Sequence, residues 1–496
     1  MRFSIFGAAA LALSTLLAAP ATASADDGGD AAAEAPSDYQ FGDRASLDRR
    51  TEEARLDLGI IGGAIAAARS DRMLYSRAFG MADREAGRAA TMDTPFAMAS
   101  VTKTLTATAI MMLVDEGRVS LDEPVNSYLG ADKVRATYAD ESEITLGRVL
   151  SHEAGLPLFY RPLYADENTP DASFAELMRD YGYTVLPAGI RSEYSNLGYE
   201  ILAEIIRRQS GMSYAQFMER RIFAPLGMGS ALIADGRQRP QGAAQRYMID
   251  GTIVPGVDTP HPGAANAYMS VNDLVRFGQF WLNAYHGRSK LLSASSARAM
   301  IGNGVEPVGE GAGRGLWAEI YPAETLYVGH GGSMAGAKAR LAILPEKDLV
   351  IAVAINERNA TAEAYLGEEM IRSFENASNL YWRAPVVPEA LIGKWNGVIG
   401  GNSAIAPLTL DFTDSNAPKA WVAGEPVLVR GISGTGPYTV RLDGELPGAG
   451  FGVPHDLRIL LVPHEEGLAG HVRLEPLPQS DRDNGSIGYW LKMVRG

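Results

Sequence analysis

Between Ser100 and Gly117 the chain is apolar on every side of a helical wheel, and this stretch constrains the fold more than any other. Val101, Leu105, Ala109, Met112 and Leu113 recur at helical spacing, while Ala107, Ile110, Met111 and Val114 fill the remaining faces. A helix with no polar stripe has to be buried on all sides, so the spacing predicts a central helix inside a large core. Gly117 stands where a C-terminal cap is expected. A chain of 496 residues is long enough to supply such a core and suggests two or three globular domains.

Ser100 and Lys103 open this helix as Ser-Val-Thr-Lys. Residues three apart share a helix face about one turn apart, which places an amine beside a hydroxyl. A hydroxyl needs a nearby base to become a nucleophile, and a desolvated lysine can serve. An N-capping serine followed by a surface lysine accounts better for the pair taken alone.

The composition narrows the function classes. Cysteine is absent, which excludes disulfides, thiolate metal sites and a cysteine nucleophile. The formal charge is −14 with scattered basic residues, so nothing favours nucleic acid as a partner. Residues 1–25 combine Arg2, an apolar run from Ile5 to Ala19 and small residues at Ala21–Ala25, and read as a secretory signal peptide. No later stretch is long and apolar enough to span a bilayer. The mature protein is therefore expected to be secreted or periplasmic.

Residues 26–42 are acidic and small, without periodicity, and read as a flexible linker. Residues 43–383 alternate in character. A helix at Ser46–Leu58 and strands at Gly62–Ala68 and Met73–Phe79 come first. Helical patterns broken by Pro and Gly follow to about Tyr268, with a further amphipathic helix at Asp273–Tyr285. Strands return at Leu326–Gly332, Ala337–Leu344 and Leu349–Asn356, and a helix at Leu366–Ala377 closes the segment. This order predicts an α/β (α+β) fold: an antiparallel sheet flanked by helices, with an inserted all-helical subdomain. A Pro-rich joint at Ala384–Pro388 separates residues 388–496. About eight strand-like runs there, with alternation at Leu408/Leu410/Phe412 and Tyr489/Leu491/Met493, predict an all-β barrel. Gly393-Lys394-Trp395 on its first strand is similar to the lipocalin G-x-W signature.

Two further motifs complete a constellation. Tyr194-Ser195-Asn196 follows a turn at Pro187-Ala188-Gly189, and Gly329-His330-Gly331-Gly332-Ser333 ends a strand-like run. With Ser100-Val101-Thr102-Lys103 these resemble, in order and setting, the serine β-lactamase and penicillin-binding-protein superfamily. They match best its class C branch of β-lactamase-related hydrolases, D-aminopeptidases and esterases. Leu150–Pro157 and Pro225-Leu226-Gly227-Met228 resemble the same branch, and the resemblance extends from about Ser46 to Leu380.

The resemblance implies an acyl-enzyme on Ser100, with Lys103 and Tyr194 as general acid/base groups and Asn196 orienting substrate. It implies an oxyanion hole from the N–H groups of Ser100 and Ser333, beside the His330-Gly331-Gly332 triplet. The substrate would be a small-molecule or peptide ester or amide. D-Ala-D-Ala carboxypeptidase, β-lactamase and a retired binding or sensing protein are the alternatives. Penicillin-recognising members carry Lys-Thr/Ser-Gly where this chain has His330-Gly331-Gly332, which implies weaker anchoring of a substrate carboxylate. No G-x-S-x-G elbow and no H-E-x-x-H occur, His152-Glu153 reads as structural, and neither a cofactor nor a metal is implied.

Overall fold

The computed structural model describes residues 44–495, apart from 139, 169, 238, 249, 302–310, 313–314, 316, 322–324, 358–361, 375–390, 392, 401–404, 414–418, 434–437, 445–454, 465–466 and 477–486. The expected signal peptide, linker, Ala377 and Pro-rich joint lie outside these residues.

Helix α1 (Arg44–Asp57) leads into strands β1 (Gly62–Ala68) and β2 (Met73–Asp83), and the central helix is α2 (Thr102–Asp115). Helices α3 (Asn196–Ser210) and α4 (Val271–Tyr285) follow. Strands β3 (Trp317–Tyr321), β4 (Thr325–Met334), β5 (Ala337–Leu344) and β6 (Leu349–Ile355), then helix α5 (Ala362–Phe374), complete this part. The strands form one sheet in the order β2-β1-β6-β5-β4-β3, edged by two-residue strands at Arg88–Ala89 and Gly311–Ala312. Neighbouring strands pair antiparallel, for example Ala66 with Ala352 and His330 with Leu341.

The first and last parts of the chain thus meet at the middle of the sheet. Strands β1 and β6 are buried along their whole length, which explains why GGAIAAA and LVIAVAI show no polar alternation. One face, with Ala64, Ala66, Leu341, Val350 and Ala352, joins the core that holds α2 and α4. The other, with Ile65, Ala67, Ile351 and Val353, packs with residues of α1 and α5, including Leu47 and Leu366.

Helix α2 is as buried as its sequence requires: every residue from Thr102 to Leu113 is buried. Its threonines, polar groups in a dry core, return hydrogen bonds to nearby carbonyls, as Thr104 does to Val101 and Thr108 to Thr104. Gly117 takes a left-handed φ of 67° just past the helix end, the conformation that favours glycine there.

Two expectations need correction. The inserted segment is not all-helical: Leu163–Tyr164 pairs with Val257–Asp258, and Phe96–Ala97, Ala267–Met269 and Leu232–Ile233 form a three-stranded sheet. Buried loop backbone needs hydrogen-bond partners, and short ladders supply them where side-chain periodicity gives no sign. The central helix also begins later than Ser100, whose residue lies in a single 3₁₀ turn at Ala99–Val101.

The C-terminal strands, from Lys394–Gly400 to Ile487–Arg495, pair antiparallel in chain order, and the first also pairs with the last. Leu408, Leu410 and Phe412 are buried, as their alternation requires. The Tyr138 hydroxyl donates to the Leu491 carbonyl at 2.5 Å, tying this layer to the preceding segment.

Candidate active site

Ser100 sits on a turn held in an unusual conformation. Ala99 has φ +45°, a region that costs a non-glycine residue on the order of 1–3 kcal/mol and persists only when the surroundings fix it. Three contacts do so. The Met98 N–H donates to the Ala267 carbonyl at 2.8 Å, and the Ala267 N–H donates to Thr102 Oγ1 at 3.0 Å. On the third side β4 presses in so closely that a Cβ on Gly332 would lie 2.2 Å from the Met98 carbonyl oxygen. Gly332 is therefore the residue that lets the strand reach the turn. Ser100 does not cap α2; its hydroxyl, half-exposed, is bonded to Lys103 instead.

Lys103 is wholly buried, and its amine has three neighbours: Ser100 Oγ at 3.2 Å, Asn196 Oδ1 at 2.7 Å and the Ala264 carbonyl at 3.0 Å. The rings of Tyr194 and Tyr199 lie 4.7 and 5.5 Å from Nζ. Among the described residues no carboxylate pairs with it, and burial holds its pKa well below the usual lysine value. The neighbours suit the neutral amine. Asn196 Oδ1 and the Ala264 oxygen can only accept and take its two hydrogens, which leaves the lone pair for the Ser100 hydroxyl proton. Such an arrangement can remove a proton from Ser100 without a metal or a second base.

Tyr194 is half-buried on the other side of Lys103. Its segment is tied to the loop that begins at His152. The Glu193 N–H donates to the His152 carbonyl, the Ser195 N–H to His152 Nδ1 at 3.0 Å, and the Asn196 N–H to the Leu158 carbonyl. Ser195 Oγ donates to the Pro157 carbonyl and accepts from the Gly198 N–H, capping α3 so that Asn196 begins the helix. The His152 ring lies 4.6 Å from that of Tyr194, and burial keeps the imidazole neutral by pushing its pKa well down. His152 thus orders the tyrosine segment, in keeping with the structural reading of His152-Glu153.

His330 is buried in the middle of β4, its ring 6.2 Å from that of Tyr194. Burial above all brings its pKa down to about 3, so it is neutral at ordinary pH. Its Nδ1 lies 2.5 Å from the Gly331 carbonyl, which fixes the proton on that nitrogen. Gly331 and Ser333 are exposed, and a Cβ on Gly331 would meet nothing within 4 Å.

The structure therefore gathers Ser100, Lys103, Tyr194, Asn196, His330 and Gly332 at one place, with Gly331 and Ser333 along its open edge. The amide oxygen of Asn196 holds Lys103, a contact that the resemblance did not imply. The carbonyls of Ala264 and Met98 and the ring of Tyr199 were not foreseen. Backbone carbonyls leave no side-chain signature, and Ala264 lies in a helix of only four residues, Pro262–Ala265. Among the described residues no cluster of three or more histidine or carboxylate side chains could hold a metal ion.

Residues 47–372 match the family model described as Beta-lactamase. Esterase EstB of Burkholderia gladioli is 27% identical over 339 residues, covering 58% of this chain and 83% of that protein. Penicillin-binding protein 4 of Amycolatopsis lactamdurans is 28% identical over 337 residues, covering 64% of this chain and 87% of its own. Among solved structures, an octameric penicillin-binding protein homologue from Pyrococcus abyssi superposes with a TM-score of 0.58 at 21% identity. That match covers 90% of this chain and all of the other, and supports the fold.

Proposed function

The chain belongs to the β-lactamase family, and from that premise we propose that it is a serine hydrolase cleaving an ester or amide through an acyl-enzyme on Ser100. The observation that carries this reading is the buried Lys103 amine, 3.2 Å from Ser100 Oγ, with both other neighbours acting as acceptors. In the first step the Ser100 oxygen attacks the substrate carbonyl while its proton passes to Lys103. Tyr194, beside the same amine, hands a proton to the leaving group and then takes one from the attacking water. The N–H groups of Ser100 and Ser333 stabilise the tetrahedral oxyanion, an effect worth a few kcal/mol (~3) in related chemistry. Asn196 positions Lys103.

Substrate class follows from β4. A β-lactam or D-Ala-D-Ala peptide carries its carboxylate on the leaving-group side. His330, neutral, and Gly331, without a hydroxyl, give that group little to hold. Esters with a neutral leaving group and D-amino-acid amides fit better. Residues 388–496 form a β-barrel domain in this reading, shaping access to the site rather than supplying chemistry, and residues 1–25 direct export.

The test is a turnover panel of short-chain esters, D-amino-acid amides, D-Ala-D-Ala peptides and a chromogenic cephalosporin. Fastest turnover of an ester or D-amino-acid amide is expected. Faster cephalosporin or D-Ala-D-Ala cleavage contradicts the substrate class, and no turnover of any member contradicts the hydrolase.

A further inference from the structure

Arg246 is a buried cation with no counter-charge among the described residues. It is only 4% exposed, yet its guanidinium makes two long contacts to backbone oxygens: Nη1 to Ala335 and Nη2 to Val257, both at 3.4 Å. Among the described residues no carboxylate pairs with it. Asp258, next to Val257, is engaged by the Gly236 and Thr259 N–H groups and by Asn266 Nδ2. Arginine stays protonated at any ordinary pH and is almost never fully buried unless paired. Its fork of five N–H donors is matched by a carboxylate, which accepts two parallel hydrogen bonds, and is poorly used by two distant carbonyls.

The location gives this residue a role. Ala335 opens the turn that follows β4, two residues on from Ser333, so the Arg246 contact lies just past the Ser333 end of that strand. Gly332 and Met98 bring the same strand end against the Ser100 turn. The two residues whose carbonyls it touches, Val257 and Ala335, belong to a small buried apolar cluster with Tyr164, Met248 and Val254, and a low-dielectric setting strengthens a charge-assisted hydrogen bond. The residue thus stands beyond the Ser333 end of β4, past the His330 and Gly331 positions where the family's leaving-group carboxylate would be held.

We infer that Arg246 is the recognition group of an anion subsite that takes a carboxylate carried on the acyl part of the substrate. The inference rests on Ser100 as the acylated nucleophile. It makes the preferred ester one whose acyl chain ends in an acid, with a neutral leaving group.

The experiment compares two p-nitrophenyl esters of equal chain length, the neutral hexanoate and the adipate half-ester with a free carboxylate. The wild type should show a kcat/KM for the adipate about tenfold above that for the hexanoate. Arg246→Gln should bring this ratio to one or below, and Arg246→Lys, which keeps the charge, should restore part of it. Raised salt should lower the wild-type ratio. A wild type that hydrolyses hexanoate with no preference for adipate overturns the subsite and leaves the nucleophile standing. A ratio unchanged in Arg246→Gln does the same. A wild type that hydrolyses neither ester overturns both readings.

Discussion

Gly331 and Gly332 are adjacent on one strand and make opposite demands. A side chain at Gly332 would collide with the Met98 carbonyl at 2.2 Å, whereas one at Gly331 would enter open space. The same division runs through the whole site. On the Gly332 side lie the strained Ala99 turn and the buried Lys103, with each hydrogen of the neutral amine assigned to a fixed acceptor. On the Gly331 side lies a strand edge whose side-chain positions open outward, so that Ser333 is used through its backbone N–H while its side chain stays exposed. The closed half has one arrangement and carries the proposed chemistry. The open half can alter what is bound without disturbing what is done.

The largest effects are expected in the closed half. Lys103→Met keeps the volume but removes the lone pair, and Tyr194→Phe removes the proposed proton carrier. Each should lower kcat by at least about a hundredfold, the usual scale for an acid/base group. In the wild type, protonating Lys103 abolishes its lone pair. Acylation should therefore fall as pH drops through the lysine pKa and level off above it, with the midpoint well below the ordinary 10.5. His330, with a pKa of about 3, is neutral throughout this range and adds no limb of its own. A midpoint at or above 10.5, measured by stopped-flow acylation, would break the comparison at its buried end.

Next in size is Gly332→Ala. The strand or the Ser100 turn must shift, and a displacement of about 1 Å can cost ~100-fold in rate. The same substitution at Gly331 should leave thermal stability within about 0.5 kcal/mol of wild type. Equal losses at the two glycines would remove the distinction between the halves.

A smaller, qualitative change is expected from His330→Lys combined with Gly331→Thr. A charge-assisted contact to a leaving-group carboxylate is worth about 1.5–3 kcal/mol, which corresponds to roughly ten- to a hundredfold. Cephalosporin acylation should rise by that factor relative to hydrolysis of a neutral ester. An unchanged ratio would mean that the open edge does not set this preference.

The sequence disclosed this site unevenly, and the reasons are physical. Helix α2 was legible because a helix apolar on every side has only one environment. That Ser100, Lys103, Tyr194 and His330 lie together was legible because the resemblance rests on motifs of fixed order along the chain. The start of α2 was misplaced, since nothing in Ala-Ser-Val announces that tertiary contacts hold Ala99 at φ +45°. The Ala264 and Met98 carbonyls were invisible, because every residue has one and only the fold decides which is used. The small sheets at Leu163–Tyr164 and Ala267–Met269 were missed for a related reason. Two or three residues are too few to show a period, and their pairing answers backbone burial rather than side-chain pattern. Arg246 was passed over as one basic residue among many, and only its burial distinguishes it.

The central claim is that Ser100 takes the covalent bond, and it can be tested without knowing the substrate. The wild type and Ser100→Ala are treated with a fluorophosphonate, digested, and mapped by mass spectrometry. A single adduct on the peptide carrying Ser100, absent from Ser100→Ala, is the predicted result. An adduct on another serine, or equal labelling of the two proteins, would contradict it.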